Sequence, residues 1–479
     1  MERVLSNSQM READLYTIEK LGVCQDELVD RAGKALFDEI NKRFFGGRVL
    51  VCVGKGNNGA DGKILAKLLS NKHGYNVNIF NVDNGNFKIF ENKFDIIVDC
   101  IFGTGLNKVV EGRYKKAVDF IKESNSYIIS CDIPSGLNGD TGLVMGTCVK
   151  ADLTIAIQEF KIGHFINDGL DYCGEIVAKD IGISIWGDDY AYRLTKDMVA
   201  SRFANRNRNV NKGNFGKTCI LGGSYNFPGS VLLSLNGLSA LKMGIGYSNL
   251  AIPNCIYNAV AGNVPECTIN PLNDIDGKIN FDKDQILPLL KYDSLAVGMG
   301  MGVCESCYSL ITYLLENYKG NLVIDADGLN NLSTYGVDVL SNSKCNVVLT
   351  PHIVEFARLI QKEKGEIMSN IIDYAKQFAS KYNVVLILKS ATTIITDGKN
   401  VCINTTGCSG MAKGGSGDVL SGIVAGLLCK SQNVYEDSCI APYIFGLAGS
   451  IAQKEQNAYT VTPSDVINYL SKAINSVLH

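Results

Sequence analysis

Short apolar, β-branched runs alternate with longer amphipathic stretches along almost the whole chain. In the first half the runs are Arg48–Val53, Asn76–Phe80, Phe94–Cys100, Tyr127–Cys131 and Leu153–Ile157. Such runs lack strict alternation, the pattern of strands buried on both faces, and predict a parallel sheet covered by helices. Gln25 to Phe44 repeats apolar positions at helical spacing, and a further helix is predicted from about Asp61. The rhythm breaks at Trp186–Lys212, a polar stretch with four Arg and three Asp. A junction is placed near 186–192, dividing a domain of 1–190 from one of 191–479. Beyond it strands are predicted at Lys217–Leu221, Ser294–Val297, Asn321–Ile324, Asn346–Leu349 and Val384–Leu388, with a helix over Gly229–Met243. Thr392–Ile395 and Val401–Asn404 read as a hairpin turning at Asp397-Gly398.

The chain has 479 residues, enough for two full cores. Its 46 Lys+Arg against 49 Asp+Glu leave a net charge of -3, which gives no drive toward nucleic acid or an anionic membrane. There are 16 Cys, many inside apolar runs, as in a reducing cytoplasm. The lone C-x-x-C, Cys304 to Cys307, lacks the second pair that zinc requires and reads as a helix start. Neither a signal-peptide core nor a membrane-length apolar run is present, so a cytoplasmic location is expected. Only four His occur, which disfavours His-based catalysis.

Chemistry concentrates at predicted strand ends. Gly54-Lys-Gly-Asn-Asn-Gly-Ala-Asp-Gly62 follows a strand and opens a helix, with G-x-G-x-x-G at Gly54, Gly56 and Gly59. Alone it fits a dinucleotide loop, with Asp83 as the acidic partner, or a plain βα turn in which Asp61 caps the helix. The residues after Gly62 exclude a phosphate-binding Walker loop. Asp99 and Asp132 each end an apolar strand beside a Gly-containing turn, and Ser135 follows. In an open α/β sheet that edge is where ligands bind. Asn57, Asn58, Asp61, Asp99, Asp132 and Ser135 are all hard oxygen donors, suited to alkali or alkaline-earth cations. In the second half Ala412-Lys-Gly-Gly-Ser-Gly-Asp-Val-Leu420 leads into a helix. Its amides can surround phosphoryl oxygens, and Asp418 can accept a proton from an attacking hydroxyl. Ile324–Leu329 and Leu349–Glu355 are further polar strand ends.

VGKGNNGADG, VDCIFGTGL and CDIPSGLNGDTG, with DLTIAIQEFKIGH and CGEIVAKDIGI, resemble the NAD(P)HX epimerase family over residues 10–185. LKSATTIITDG, LTPHIVEF and MAKGGSGDVLSGI resemble its partner dehydratase over 195–479. The resemblance implies a Rossmann-like three-layer α/β sandwich followed by a ribokinase-like α/β domain. It implies a bifunctional enzyme that epimerises R- and S-NAD(P)HX and dehydrates the S form with ADP, or ATP. By motif match, Asn57, Asn58, Gly59, Ala60 and Asp61 hold the first substrate, with Gly103, Thr104, Gly105, Leu106, Asn107, Lys108 and Val109. Asn58, Asp99 and Ser135 hold K+. Asp132 contacts the nicotinamide ring. In the second domain Ser230, Gly302, His352 and Asp418 line the hydrate site, and Lys389, Ser390, Ala391, Thr392, Thr393 and Gly417 hold the nucleotide, with Mg2+. Departures from the family pattern are Ala60 and Ser390 for Gly, Met299 for Pro and Ser230 for Ala.

Epimerisation needs a group that donates and accepts a proton. With Asp61 read as a cap, Asp99 as an ion ligand and Lys63 pointing away, Asp132 is the expected acid/base, its pKa raised by burial. Asp418 is the expected base of the dehydratase. NADHX, NADPHX and an adenine nucleotide are the expected partners, and assembly as a homo-oligomer is expected. Three other readings compete. One is a ribokinase-type small-molecule kinase with an accessory N-terminal domain; another is a non-catalytic nucleotide-binding scaffold. The third, a Rossmann dehydrogenase, rests only on G-x-G-x-x-G and Asp83.

Overall fold

A computed structural model describes residues 1–203, 206–237 and 242–479. The chain divides into two compact units, Glu2–Ala191 and Tyr192–His479, with Met1 grouped with the latter. Among the described residues no helix is long and apolar enough to cross a membrane.

The first unit is built on a six-stranded parallel sheet. Its spatial order is Tyr75–Asn81, Gly47–Val53, Ile96–Cys100, Tyr127–Cys131, Leu153–Ile157 and Glu175–Lys179. Alternate residues of these strands enter different cores. Val49, Val51, Val98 and Ile129 pack with Leu36 and Ile40 of the helix Gln25–Arg43 and Leu65 of the helix Asn57–Ser70. Leu50, Cys52, Ile97 and Ile128 pack with Ala117, Val118 and Ile121 of the helix Gly112–Glu123. Burial on both faces is why the strands read as continuous apolar runs. The result is a three-layer α/β sandwich.

The second unit carries a sheet ordered Thr268–Leu272, Tyr247–Pro253, Lys217–Leu221, Ser294–Val297, Asn321–Ile324, Asn346–Leu349, Val385–Leu388, Thr393–Thr396 and Val401–Asn404. The first seven run parallel, and the last two turn antiparallel. The hairpin turns where expected: Asp397 Oδ1 accepts from Lys399 N at 2.9 Å and Asn400 N at 2.7 Å, and Gly398 takes φ +91°. The closing helices Ser416–Leu428, Val434–Glu455 and Pro463–Leu478 supply much of this unit's core.

The structure corrects several boundaries. The helix predicted from Asp61 begins at Asn57, with Gly56 as its N-cap and no side-chain cap. The Asn-rich loop is therefore the first helical turn, disguised in the sequence by Asn and Gly, which are poor helix formers. The helix predicted over Gly229–Met243 runs Pro228–Gly237, and residues 238–241 lie outside the described residues. The strand at Phe94 starts at Ile96. Tyr247–Pro253 and Glu175–Lys179 are strands that the apolar pattern does not mark; Ser248 and Asn249 interrupt the first, and the second is only half buried.

The turn into the helix Asn57–Ser70 depends on close backbone contact. A Cβ at Gly59 would lie 2.1 Å from Gly54 O, and one at Gly54 would lie 2.2 Å from Ile101 O. Gly59→Ala is expected to destabilise the chain by about 1–3 kcal/mol, the usual range for overpacking against backbone that cannot yield. Denaturant unfolding of parent and variant checks this.

Candidate functional sites

At the strand ends of the first unit lies a pocket of about 460 Å³. Asn57, Asn58, Asp61, Gly103, Thr104, Gly105, Leu106 and Asp132 all line it. Gly59 and Ala60 sit in the first helical turn, while Asn107, Lys108 and Val109 are exposed and do not line it.

Asn58 ties three loops together. Its Nδ2 donates to Phe102 O at 2.7 Å and to Cys131 O at 3.1 Å. Its Oδ1 is buried with no partner among the described residues. Asp99 is fully buried and accepts from Ser135 Oγ (2.6 Å), Ser135 N (2.8 Å), Ser130 Oγ (3.0 Å) and Ile101 N (3.2 Å). Burial pushes this carboxyl up, and the bonds from Ser135, Ile101 and Ser130 oppose that. Ser135 Oγ also accepts from Phe102 N at 2.8 Å. Asn58, Asp99 and Ser135 thus converge around Phe102, and the orphaned Asn58 oxygen is what an oxygen-liganded cation would satisfy.

Asp132 occupies left-handed backbone at φ +65°. Its Oδ1 accepts from Ile157 N at 3.1 Å and is ion-paired with Lys161 Nζ, whose side chain is buried. His164 Nε2 lies 2.8 Å from Asp132 O, while His164 Nδ1 accepts from Lys161 N at 3.1 Å. Lys161 and His164 stand within the DLTIAIQEFKIGH string, but their distance along the chain from the Gly-rich loops hid their place beside Asp132.

Two further carboxyls that line the pocket are raised as well. Burial first, then the charges of Asp132 and Asp14, push Asp61 up to about 8. Burial pushes Asp14 to about 6, opposed by Lys161. The reading of Asp61 as a helix cap is thereby corrected: it is the fifth helical residue and lines the pocket. Asp14, on the helix Asn7–Glu19, escaped the sequence reading because it lies before every Gly-rich motif. Asp83 pairs with Lys55 at 3.2 Å and accepts from Tyr114 OH at 2.7 Å, so its carboxylate is engaged within the protein rather than held out for a ribose.

In the second unit Asp418 is the third residue of the helix Ser416–Leu428, which follows Gly415 at φ +92° and has no side-chain cap. Burial, then Asp325, pushes the Asp418 carboxyl up to about 7, opposed by Lys389 and a hydrogen bond from Ser230. Asp325, 1% exposed, is held by Lys389 Nζ at 2.8 Å and Ser421 Oγ at 2.6 Å. A Cβ at Gly417 would meet that Lys389 Nζ at 3.1 Å. Gly302 N donates to Asp327 Oδ2 at 2.9 Å. Between the two acids Ala326 is strained, at φ +49° and ψ −120°. His352 caps the helix Ile353–Ile360, its Nδ1 accepting from Val354 N and Glu355 N, and burial lowers its pKa. Ser390 and Ala391 are exposed and Thr392 buried in the turn after Val385–Leu388, and the half-buried Thr393 opens the next strand. Asp325, Asp327 and Ser421 are the residues sequence reasoning did not assign, although the first two stand in the Ile324–Leu329 string. Cys304 stands at the start of the helix Glu305–Asn317.

Residues 218–472 match the family described as NAD(P)H-hydrate dehydratase, and residues 25–89 and 81–163 match the YjeF-related protein N-terminus. The bifunctional NAD(P)H-hydrate repair enzyme Nnr of Dictyoglomus turgidum is 32% identical, covering 93% of this chain and 91% of its own. That of Thermofilum pendens is 32% identical, covering 99% and 97%.

The chain belongs to the bifunctional NAD(P)H-hydrate repair enzymes.

Among solved structures, the ADP/ATP-dependent NAD(P)H-hydrate dehydratase of Bacillus subtilis, co-crystallised with ATP/Mg2+, has a TM-score of 0.52. It is 25% identical, covering 60% of this chain and 99% of its own. The second unit of this repair enzyme is therefore of the ribokinase-like dehydratase type.

Asp61 makes the stability of the repair enzyme depend on pH. Its carboxyl keeps a proton to about pH 8 in the folded chain and to about pH 4 when unfolded. The stability it contributes is present below pH 4 and lost as pH rises through 8. Asp61→Asn, which cannot ionise, is expected to match the parent near pH 4 and to exceed it at pH 8–9, with thermal melts across that range as the check. A tenfold difference in proton affinity corresponds to about 1.4 kcal/mol, so the gap is expected to exceed that.

Proposed function

We propose that the pocket of the first unit epimerises R- and S-NADHX and NADPHX, and that the Asp418 site of the second dehydrates the S form with ADP, or ATP. The observation that carries this reading is a carboxylate-lined pocket with Asp132 in the first unit and, in the second, Asp418 at the Gly-rich start of a helix beside Asp325 and Lys389, in a chain that full-length repair enzymes match. A stereospecific dehydratase restores only one epimer, so a linked epimerase makes both repairable.

In the second unit Asp418 takes the proton of the substrate hydroxyl as its oxygen attacks the terminal phosphoryl group, and the shortened nucleotide leaves. Phosphate then departs from the ring with loss of a neighbouring ring proton, giving back the reduced nicotinamide. A carboxyl near 7 suits proton acceptance at neutral pH. The amides at the start of the helix Ser416–Leu428 face the transferred charge. Bound with the nucleotide, Mg2+ neutralises phosphate charge, and the carboxylates near Asp418 are oxygen donors that suit it. In the first pocket Asp132 is the acid/base, and Asn58, Asp99 and Ser135 hold K+; the unpartnered Asn58 oxygen supports that assignment.

Asp418→Ala is expected to abolish dehydration and leave epimerisation intact, and Asp132→Asn to do the converse. Mixed hydrate epimers supplied with ADP or ATP, followed by chromatography and by absorbance at the reduced nicotinamide band, read both activities. Loss of both in a folded single variant contradicts two independent sites. Epimerisation is expected to fall at least about tenfold when K+ is replaced by a large organic cation, a drop matching about 1.4 kcal/mol. Equal rates in the two salts count against the ion.

A further inference from the structure

Asp14, Asp61, Asp132 and Lys161 all line the first pocket. The ammonium is committed: Lys161 Nζ bonds Asp132 Oδ1 and, at 2.7 Å, Ile157 O. Asp61 is 7% exposed, and among the described residues no side chain or amide hydrogen-bonds its carboxyl. Three carboxylates against one ammonium in a buried wall would leave uncompensated charge, which is costly enough that one carboxyl keeps its proton. Asp132 is paired with Lys161; neither Asp61 nor Asp14 has a hydrogen-bond partner among the described residues, and of these two Asp61 is the more deeply buried.

We propose that Asp61 is a second catalytic residue of the epimerase, the acid that works with Asp132, and that Asp14 is its positioning residue. This rests on the reading of the pocket as the epimerase site. The hydrate carries its hydroxyl on the carbon bonded to the ring nitrogen. Asp132 takes the hydroxyl proton, the carbon–oxygen bond becomes a carbonyl, and the carbon–nitrogen bond breaks. Its electron pair goes to the nitrogen, which takes the proton of Asp61. The open aldehyde rotates, and the nitrogen attacks the other face of the carbonyl carbon. Asp61 recovers its proton from nitrogen, and Asp132 returns one to oxygen. No other reactant enters, and the protein ends in its starting protonation state. Such a cycle needs a carboxylate and a carboxylic acid side by side, which a lone Asp132 cannot supply.

The groups around Asp61 come from four elements. Asp14 stands on the helix Asn7–Glu19, with Arg11 exposed one turn earlier. Asp132 and the buried Cys131 close the strand Tyr127–Cys131, Cys100 closes Ile96–Cys100, and Lys161 lies beyond Leu153–Ile157. Asp132 and Asp14 are the charges that favour the protonated form of Asp61, in keeping with its displacement to about 8.

The full-length chain tests this with purified S epimer, by chromatography across pH 5–10. Asp61→Asn is expected to lower kcat for epimerisation at least about 100-fold, the usual contribution of a positioned acid, with KM changed less than about threefold. Its dehydration rate, read on the same protein, stays at the parent value and shows that the chain is folded. The parent rate is expected to fall as pH rises through about 8, where Asp61 loses its proton. Asp14→Asn removes a neighbouring negative charge, so that alkaline limb moves to lower pH, and Asp14→Glu restores it. A merely structural Asp14 would change stability or KM and leave the limb in place. The proposal is overturned if Asp61→Asn epimerises within about threefold of the parent, or if Asp14→Asn leaves the limb unmoved. A parent chain that does not epimerise overturns the reading of the pocket itself, before any variant is compared.

Discussion

The first site hangs on one buried carboxylate. Asp99 sits at the end of the central strand Ile96–Cys100 with no exposure, and four donors, three from two loops and one from the neighbouring strand Tyr127–Cys131, converge on it. A charge so placed is tolerated because hydrogen bonds surround it. Its demands fix Ser135, whose hydroxyl receives Phe102 N, and Phe102 O in turn receives Asn58. The helix Asn57–Ser70, the loop after Ile101 and the turn after Asp132 are therefore set by one network. Those three segments form one side of the pocket.

The second site is arranged around a different sign pattern. Lys389 and Ser421 hold Asp325, and that pair lies beneath Gly417 and Asp418. A lone Asp418 would be set by burial alone. With Asp325 raising and Lys389 lowering its proton affinity, the carboxyl falls in the range a base needs at neutral pH. In both units burial and then an acidic neighbour raise one carboxyl, Asp61 in the first and Asp418 in the second, and an ammonium opposes the rise only at Asp418.

The parallel strands were legible because burial on both faces leaves an unbroken apolar run, and the strand-end acids were legible because Gly beside Asp interrupts that run. What escaped has a common cause. Asp14 stands on a helix with no Gly near it, and Lys161 ends a two-residue strand, Phe160–Lys161, too short to register as a run. Both reach the site only through tertiary packing. Asp61 was visible but misassigned: an Asp after Asn and Gly has the local pattern of a cap, and only the helix starting at Asn57 turns it inward. Asp325 stood in a noted motif, yet its ion-pair partner Lys389 is distant in sequence.

Ala326 holds a backbone conformation that an L-residue adopts at a cost, between one acid facing Lys389 and another facing Gly302. The strain separates two carboxylates only two residues apart and sends them to different tasks. Selection for heat resistance alone would favour glycine there, because glycine relieves the strain. Glycine would also free the hinge between the two acids and blur their division of labour. The methyl group of Ala326 keeps the chain on one path between the two acids at the cost of local strain.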